Sequence, residues 1–193
     1  MKHFNNLVNH ILMTESPIFS DRELTVDLND EQTNKQYFNV CLQSGKKIEN
    51  FQNWEVWEIK KKSFIYFCFI KNNTIEAYVE FFIDGEDINS KRVLQRKSPD
   101  SKGLLRKAFL NYFPNIFSNL KLDKIANIHG KQFFEKLMKE ANQKGFKTTI
   151  VNENTNEEAP YNVKDFEQYW SGQSIINNKT VRPTNLSFKI YYK

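Results

Sequence analysis

Glycine and proline are scarce, six and five of 193 residues. That poverty argues against a turn-dense sandwich and against Pro/Gly-rich linkers. Cysteine is scarcer still. Cys41 and Cys68 lie in the apolar stretches YFNVCL and FIYFCFI, which predicts two small buried hydrophobes in the thiol state rather than halves of a bridge. The three histidines, His3, His10 and His129, are far apart, with no carboxylate or cysteine at ligand spacing. There is no Cys-x-x-Cys, Gly-x-Ser-x-Gly or Walker-type loop, so no metal site or nucleophilic hydrolase is expected. The longest apolar run, Phe64 to Ile70, falls far short of the ~20 residues that span a bilayer. No basic segment leads into an apolar stretch at the N-terminus. These absences together predict a cytoplasmic protein.

What is abundant is large apolar surface. Hydrophobic residues make up 39% of the chain, with 17 phenylalanines, enough to offset chain entropy without staples. The length suits one core, so residues 1–193 are expected to form a single domain. A net charge of +5 permits an anionic partner, such as nucleic acid or a phosphorylated cofactor, without requiring one.

Phe4, Leu7, Val8, Ile11 and Leu12 recur at helical spacing and predict a short amphipathic helix before Pro17. Leu24, Val26 and Leu28 alternate as in a half-buried strand, 29–36 reads as a polar loop, and Tyr37 to Leu42 as a further strand. From residue 54 an antiparallel meander is expected: strands at Trp54 to Ile59, Phe64 to Ile70 and Thr74 to Ile83, with Lys71-Asn72-Asn73 as a tight turn. Phe64 to Ile70 is apolar at nearly every position, as in a strand covered on both faces. A strand at Arg92 to Gln95 is followed by a basic loop and by a helix with Leu104, Leu105, Ala108, Phe109, Tyr112 and Phe113 on one face, ended by Pro114. Asn119 to Ile125 forms the next strand. Phe133, Phe134, Leu137, Met138 and Ala141 repeat the helical stripe until Gly145 caps it, and Phe146 to Val151 follows as a strand. The segment 152–193 carries a polar loop, an aromatic segment around Phe166, Tyr169 and Trp170, and an alternating strand, Leu186 to Tyr192. That last strand could complete the sheet, cover an edge or exchange with a second copy.

Two stretches carry a family resemblance. QRKSPDSKGLLRKAFLNYF, Gln95 to Phe113, resembles the acyl-CoA pyrophosphate loop and following helix of the GNAT N-acetyltransferases. LDKIANIHGKQFFEKLMKEANQKGF, Leu122 to Phe146, is similar to the strand-Asn-helix-Gly-Phe stretch of the same family. The second stretch and its terminal extension are also similar to GNAT-like proteins of bacteriophages. The resemblance implies an α/β fold, GNAT-like, with a mixed, mostly antiparallel central sheet and helices on both faces. Its core would be 54–151, preceded by 1–53 and followed by the extension 152–193.

It further implies an acyltransferase moving an acetyl group from acetyl-CoA to an amine acceptor. The cofactor would be held by Arg96, Lys97, Ser101, Lys102, Gly103, Leu104 and Arg106, with Asn127 on the pantetheine arm. A helix N-terminus offers unpaired amides to a diphosphate, and the cations add charge nearby. His129 and Glu80, the latter through water, are the candidate catalytic groups. Two departures motivate an alternative: only Gly103 stands where the family has two or three glycines, and Phe133 and Phe134 occupy the region where it frequently has a tyrosine. The alternative is a catalytically inactive GNAT-like phage accessory module, in the host cytoplasm, binding nucleic acid or a host protein.

Overall fold

A computed structural model of the protein describes residues 27–122, 128–171, 174–176, 179–181 and 185–193, without the side chains of 128–130, 171, 174–176 and 179–181. The expected helix around Phe4 to Leu12, and Leu24 and Val26 of the expected strand, lie outside the described residues. The described residues form two compact units. One holds those up to Ile83 together with Arg92–Lys102, and the other holds Asp84–Lys91 with those from Gly103 onward.

In the first unit, helix α1 (Glu31–Ser44) is capped by Asp30, whose carboxylate accepts the Thr33 N–H at 2.7 Å. This corrects the expected loop at 29–36 and strand at Tyr37 to Leu42. Tyr37, Val40 and Cys41 are buried at helical spacing, while Glu31, Gln32, Lys35 and Gln36 face water. The polar half of an amphipathic helix had the appearance of a loop.

Strands β1 (Lys46–Phe51), β2 (Trp54–Lys61), β3 (Phe64–Lys71) and β4 (Thr74–Asp84) follow as an antiparallel meander, with the C-terminal half of β5 (Asp87–Gln95) beyond β4. Strand β1 is additional to the expected set: it lies at the edge and is almost wholly exposed, so it carries no apolar alternation. The turn between β3 and β4 is as expected, with Asn72 and Asn73 at φ 51° and 59°, the left-handed pair that matches hairpin twist. Strand β3 is covered on both faces, with Tyr66, Cys68 and Ile70 alternating with Phe67 and Phe69, all fully buried. On the first of these faces α1 contributes Tyr37, Val40 and Cys41 to a core with Ile59, Ile75 and Tyr78. Tyr78 meets Tyr37 edge-on at 6.0 Å.

The second unit contains the N-terminal half of β5, then β6 (Asn119–Leu122), β7 (Lys147–Asn152), β8 (Glu158–Pro160) and β11 (Leu186–Tyr191), in the order β5-β6-β11-β7-β8. Strands β5 and β6 are parallel, with Asn89 opposite Lys121 and Ser90 opposite Leu122; the other pairings around them are antiparallel. The terminal strand β11 completes the sheet from inside. Phe188 lies between Leu122 and Ile150. A hairpin of β9 (Ser174–Ile176) and β10 (Lys179–Val181) precedes it.

Helix α2 (Leu104–Lys107) continues as a wider π turn over Ala108–Tyr112 and tightens to a 3-10 turn over Phe113–Asn115. Pro114, expected to stop the helix, lies inside that last turn, where a missing N–H costs little. Helix α3 (Ile128–Gln143) buries Phe134, Leu137, Met138 and Ala141, and Gly145 ends it at φ 80°. Helix α4 (Phe166–Ser171) supplies Phe166 and Trp170, which with Phe134 stack around Phe188. The architecture is therefore α/β with a mostly antiparallel sheet, as the sequence led us to expect. Among the described residues no helix is long and apolar enough to cross a membrane.

One face of the second unit carries charge where burial is deep. Lys189, 8% exposed, donates to Asp87 at 2.7 Å and to Glu158 at 3.3 Å. Tyr191 and Thr149 also donate to the Glu158 carboxylate, at 2.6 and 3.0 Å. Burial raises the Glu158 carboxyl, but the hydrogen bonds from Tyr191 and Thr149 and the Lys189 charge outweigh it, leaving it below the ordinary glutamate value. A depressed folded value gives stability that is present above the unfolded pKa and lost as pH falls through the folded one. Glu158→Gln should therefore lower the Tm near neutral pH, and the gap from the native protein should narrow as the pH falls below the ordinary glutamate range, as read by thermal melts across pH.

Candidate functional site

The expected cofactor loop begins where β5 leaves the meander. Beneath it lies Glu76 of β4, 3% exposed. Its carboxylate pairs with the Arg96 guanidinium at 3.2 Å and accepts the Ser98 hydroxyl at 2.5 Å. A buried charge is tolerated when it is paired and hydrogen-bonded, and here that requirement fixes the loop's entry. The Arg96 N–H donates to the Glu76 carbonyl at 2.9 Å. Ser98 and Ser101 then bond reciprocally, each hydroxyl accepting the other's amide at 3.1 and 3.3 Å, and the Ser101 hydroxyl donates to the Arg96 carbonyl. Lys97 N–H donates to the Asn29 side chain at 2.6 Å, and Lys102 N–H reaches the Pro99 carbonyl at 3.4 Å.

The loop thus consumes five of its own amides, those of Arg96, Lys97, Ser98, Ser101 and Lys102. Ser101 is fully buried, and its hydroxyl is committed to the loop. Lys97 and Lys102 are exposed. Ser98-Pro99 forms a turn and does not open the helix, which begins after Gly103 at φ 74°. Only glycine takes that left-handed conformation without strain. The helix start has no side-chain cap, but Leu104 and Leu105 are 0% and 5% exposed, so their amides are not presented to a ligand from solvent. The Leu104 side chain is buried, and Arg106 faces Glu140 at 3.5 Å.

Beside the loop, within the first unit, an open recess of about 500 Å³ is lined by Asn29, Lys35, Phe38, Asn39, Asn73 and Arg96, among others. Its wall is set by Asn34 of α1. The Asn34 amide nitrogen donates to the Leu28 and Ile75 carbonyls at 2.9 and 2.8 Å, and its oxygen accepts the Ile75 N–H at 2.9 Å. Lys35 and Arg96 against Glu31 give the lining one excess positive charge.

Glu80 is 4% exposed and accepts the Tyr78 hydroxyl at 3.3 Å. Burial, with the Glu80 charge second, pushes the Tyr78 hydroxyl well above its ordinary value. Four positions along β4 separate Glu80 from Glu76, about 13 Å, so it does not join the loop cluster. Asn127 and the His129 side chain lie outside the described residues; the His129 backbone is in the first turn of α3. Among the described residues no group of His, Cys, Asp and Glu could hold a metal ion.

Sequence reasoning missed Asn29, Asn34, Lys35 and Phe38, because α1 was read as loop and strand. The signal was present in Asp30 as a cap, followed by Tyr37, Val40 and Cys41 at helical spacing.

No protein-family model and no curated protein matches the chain. Three solved structures are similar to it. They are a putative GNAT-family acetyltransferase from Bacteroides thetaiotaomicron (6% identity, 68% of this chain and 63% of that one, TM-score 0.38); a GNAT-family acetyltransferase from Elizabethkingia anophelis with acetyl-CoA bound (13%, 66% and 74%, 0.33); and the ribosomal-protein-S18-alanine N-acetyltransferase from Escherichia coli (12%, 83% and 87%, 0.36). The chain spans less than two thirds of the Bacteroides protein. At these TM-scores the likeness carries no argument, and the functional reading rests on the chain's own residues.

Proposed function

We propose that the protein binds an acyl-CoA thioester and transfers its acyl group to an amine. The observation that supports this most directly is the parallel β5–β6 pair, whose crossover carries the basic loop at the carboxyl end of β5. In open α/β sheets, ligands bind outside the carboxyl ends of parallel strands where the crossover connections part. In this reading Arg96, Lys97 and Lys102 supply the cationic charge that meets the diphosphate. Ser101 holds the loop's shape. The recess beside Arg96, within the usual range for ligand sites, takes the polar end of the cofactor.

Asn127 and His129 flank the thioester in this proposal, and Glu80 deprotonates the amine through water. Acyl transfer gains most from holding amine and thioester in contact, so a weak base is sufficient. The competing reading, a non-catalytic module that binds nucleic acid or a host protein, draws support from the five loop amides already satisfied internally.

Calorimetric titration with acetyl-CoA and CoA separates the two. Micromolar binding that weakens at least tenfold in a Lys97→Glu, Lys102→Glu variant is the expected result. Both side chains are exposed, so the variant should remain folded. Absence of heat with the folded native protein would overturn the proposal.

A further inference from the structure

Cys41 on the core face of α1 and Cys68 in β3 bring their sulfur atoms to 2.6 Å. This is about half an ångström beyond a covalent S–S bond of ~2.05 Å. Both are free thiols, 2% and 1% exposed. They are the only cysteines in the chain, so neither has another intramolecular partner. Their surroundings are apolar and aromatic, with Tyr37, Val40, Tyr66 and Tyr78 in the same core.

We propose that Cys41 and Cys68 form a two-electron oxidation site whose disulfide staples α1 to β3. With hydrogen peroxide as oxidant, one sulfur, as thiolate, attacks a peroxide oxygen and the O–O bond breaks, giving a sulfenic acid and hydroxide. The second sulfur then attacks the sulfenic sulfur, expelling hydroxide and forming the S–S bond. The two thiol protons neutralise the two hydroxides. In sum, two thiols are oxidised, one peroxide is reduced, and one disulfide and two waters result.

Burial controls the rate. The hydrogen bond shared with Cys41, and burial after it, hold the Cys68 thiol well above its ordinary pKa, so little thiolate exists at neutral pH and oxidation awaits transient opening of α1. A peroxide-sized oxidant fits this constraint better than a bulky disulfide. The bridge would close a loop spanning 27 positions and restrict the unfolded chain. It would also anchor the helix that carries Lys35, Phe38 and Asn39 of the recess.

The test treats the full-length protein with hydrogen peroxide and then counts thiols after denaturation, with mass, oligomeric state and Tm read in parallel. Expected are loss of both thiols with the mass of two hydrogens, an unchanged oligomeric state, and a Tm raised by roughly 5 °C or more. Hydrogen exchange of the α1 amides should slow, and dithiothreitol should reverse every change. Cys41→Ala and Cys68→Ala should each abolish the Tm rise. Since the native protein alone supplies the thiol count and mass, a variant that folds poorly does not weaken the test. Two unreacted thiols, oxygen addition in place of hydrogen loss, a cross-linked dimer, or an oxidised form no more stable than the reduced one would each overturn the proposal.

Discussion

Phe188→Ala should destabilise the protein by about 4 kcal/mol, because a fully buried ring leaves a cavity that its neighbours cannot fill. Phe188 is 0% exposed and lies in the middle of β11. Its ring stacks on Phe166 at 5.8 Å, meets Tyr161 edge-on at 5.8 Å, and lies 6.0 Å from Phe134 and 6.5 Å from Trp170. Those partners come from α3, α4 and the segment between β8 and α4, so one side chain joins three parts of the second unit. At about 2–4 °C per kcal/mol for a chain of this size, the Tm should fall by roughly 8–16 °C. Phe188→Leu retains most of the buried area and should cost about half as much. A melt showing less than ~1 kcal/mol for the alanine variant would mean that β11 is not the centre of this core.

Asn34→Ala should cost about 3 kcal/mol, and for a different reason. Asn34 is 5% exposed and makes three hydrogen bonds, all to backbone groups. Removing it strands the Leu28 and Ile75 carbonyls and the Ile75 amide, and each unsatisfied buried group costs about 1–3 kcal/mol. Water entering from the adjoining recess can solvate part of this loss, which sets the expectation near the lower end of the sum. Asn34→Asp distinguishes hydrogen bonding from packing: it keeps the shape and the acceptor for the Ile75 N–H but turns a carboxylate toward two carbonyls. It should be at least as destabilised as the alanine variant at neutral pH, and should recover in part on acidification, when the protonated carboxyl can donate to one of them. Equal melts for the aspartate variant and the native protein would show that Asn34 does not tie α1 to β4.

Local patterns sufficed for the elements whose burial follows directly from neighbouring residues. The run Phe64 to Ile70 has the pattern of a strand covered on both faces, and Asn72-Asn73 supplied the left-handed pair that a tight hairpin needs. The apolar stripe of α3, with Gly145 as a stop, came from the 3.6-residue period, and the alternation of Leu186 to Tyr192 announced a strand. These signals are local: they depend on side chains at fixed spacing and on glycine or asparagine accepting positive φ. The order strand, basic loop, helix, strand was also legible, because it is carried by consecutive residues.

Tertiary structure decided what depended on residues distant in sequence. Helix α1 was obscured because its apolar stripe is short and its polar face has the composition of a loop; its burial was decided when Tyr37, Val40 and Cys41 met Tyr66, Cys68 and Tyr78. Strand β1 is exposed at an edge, held by backbone bonds, the Lys47–Glu55 pair and Phe51 against Trp54 and Phe69, so no apolar alternation marks it. The place of β11 between β6 and β7 is a matter of pairing, and alternation is equally compatible with an edge. The loop's character was likewise hidden: four charges and a glycine suggested open amides, but Glu76, twenty positions before Arg96, and Asn29 across the first unit bind it from beneath and beside. Hydrogen-bond satisfaction is a property of neighbours in space, and only the folded chain determines which neighbours those are.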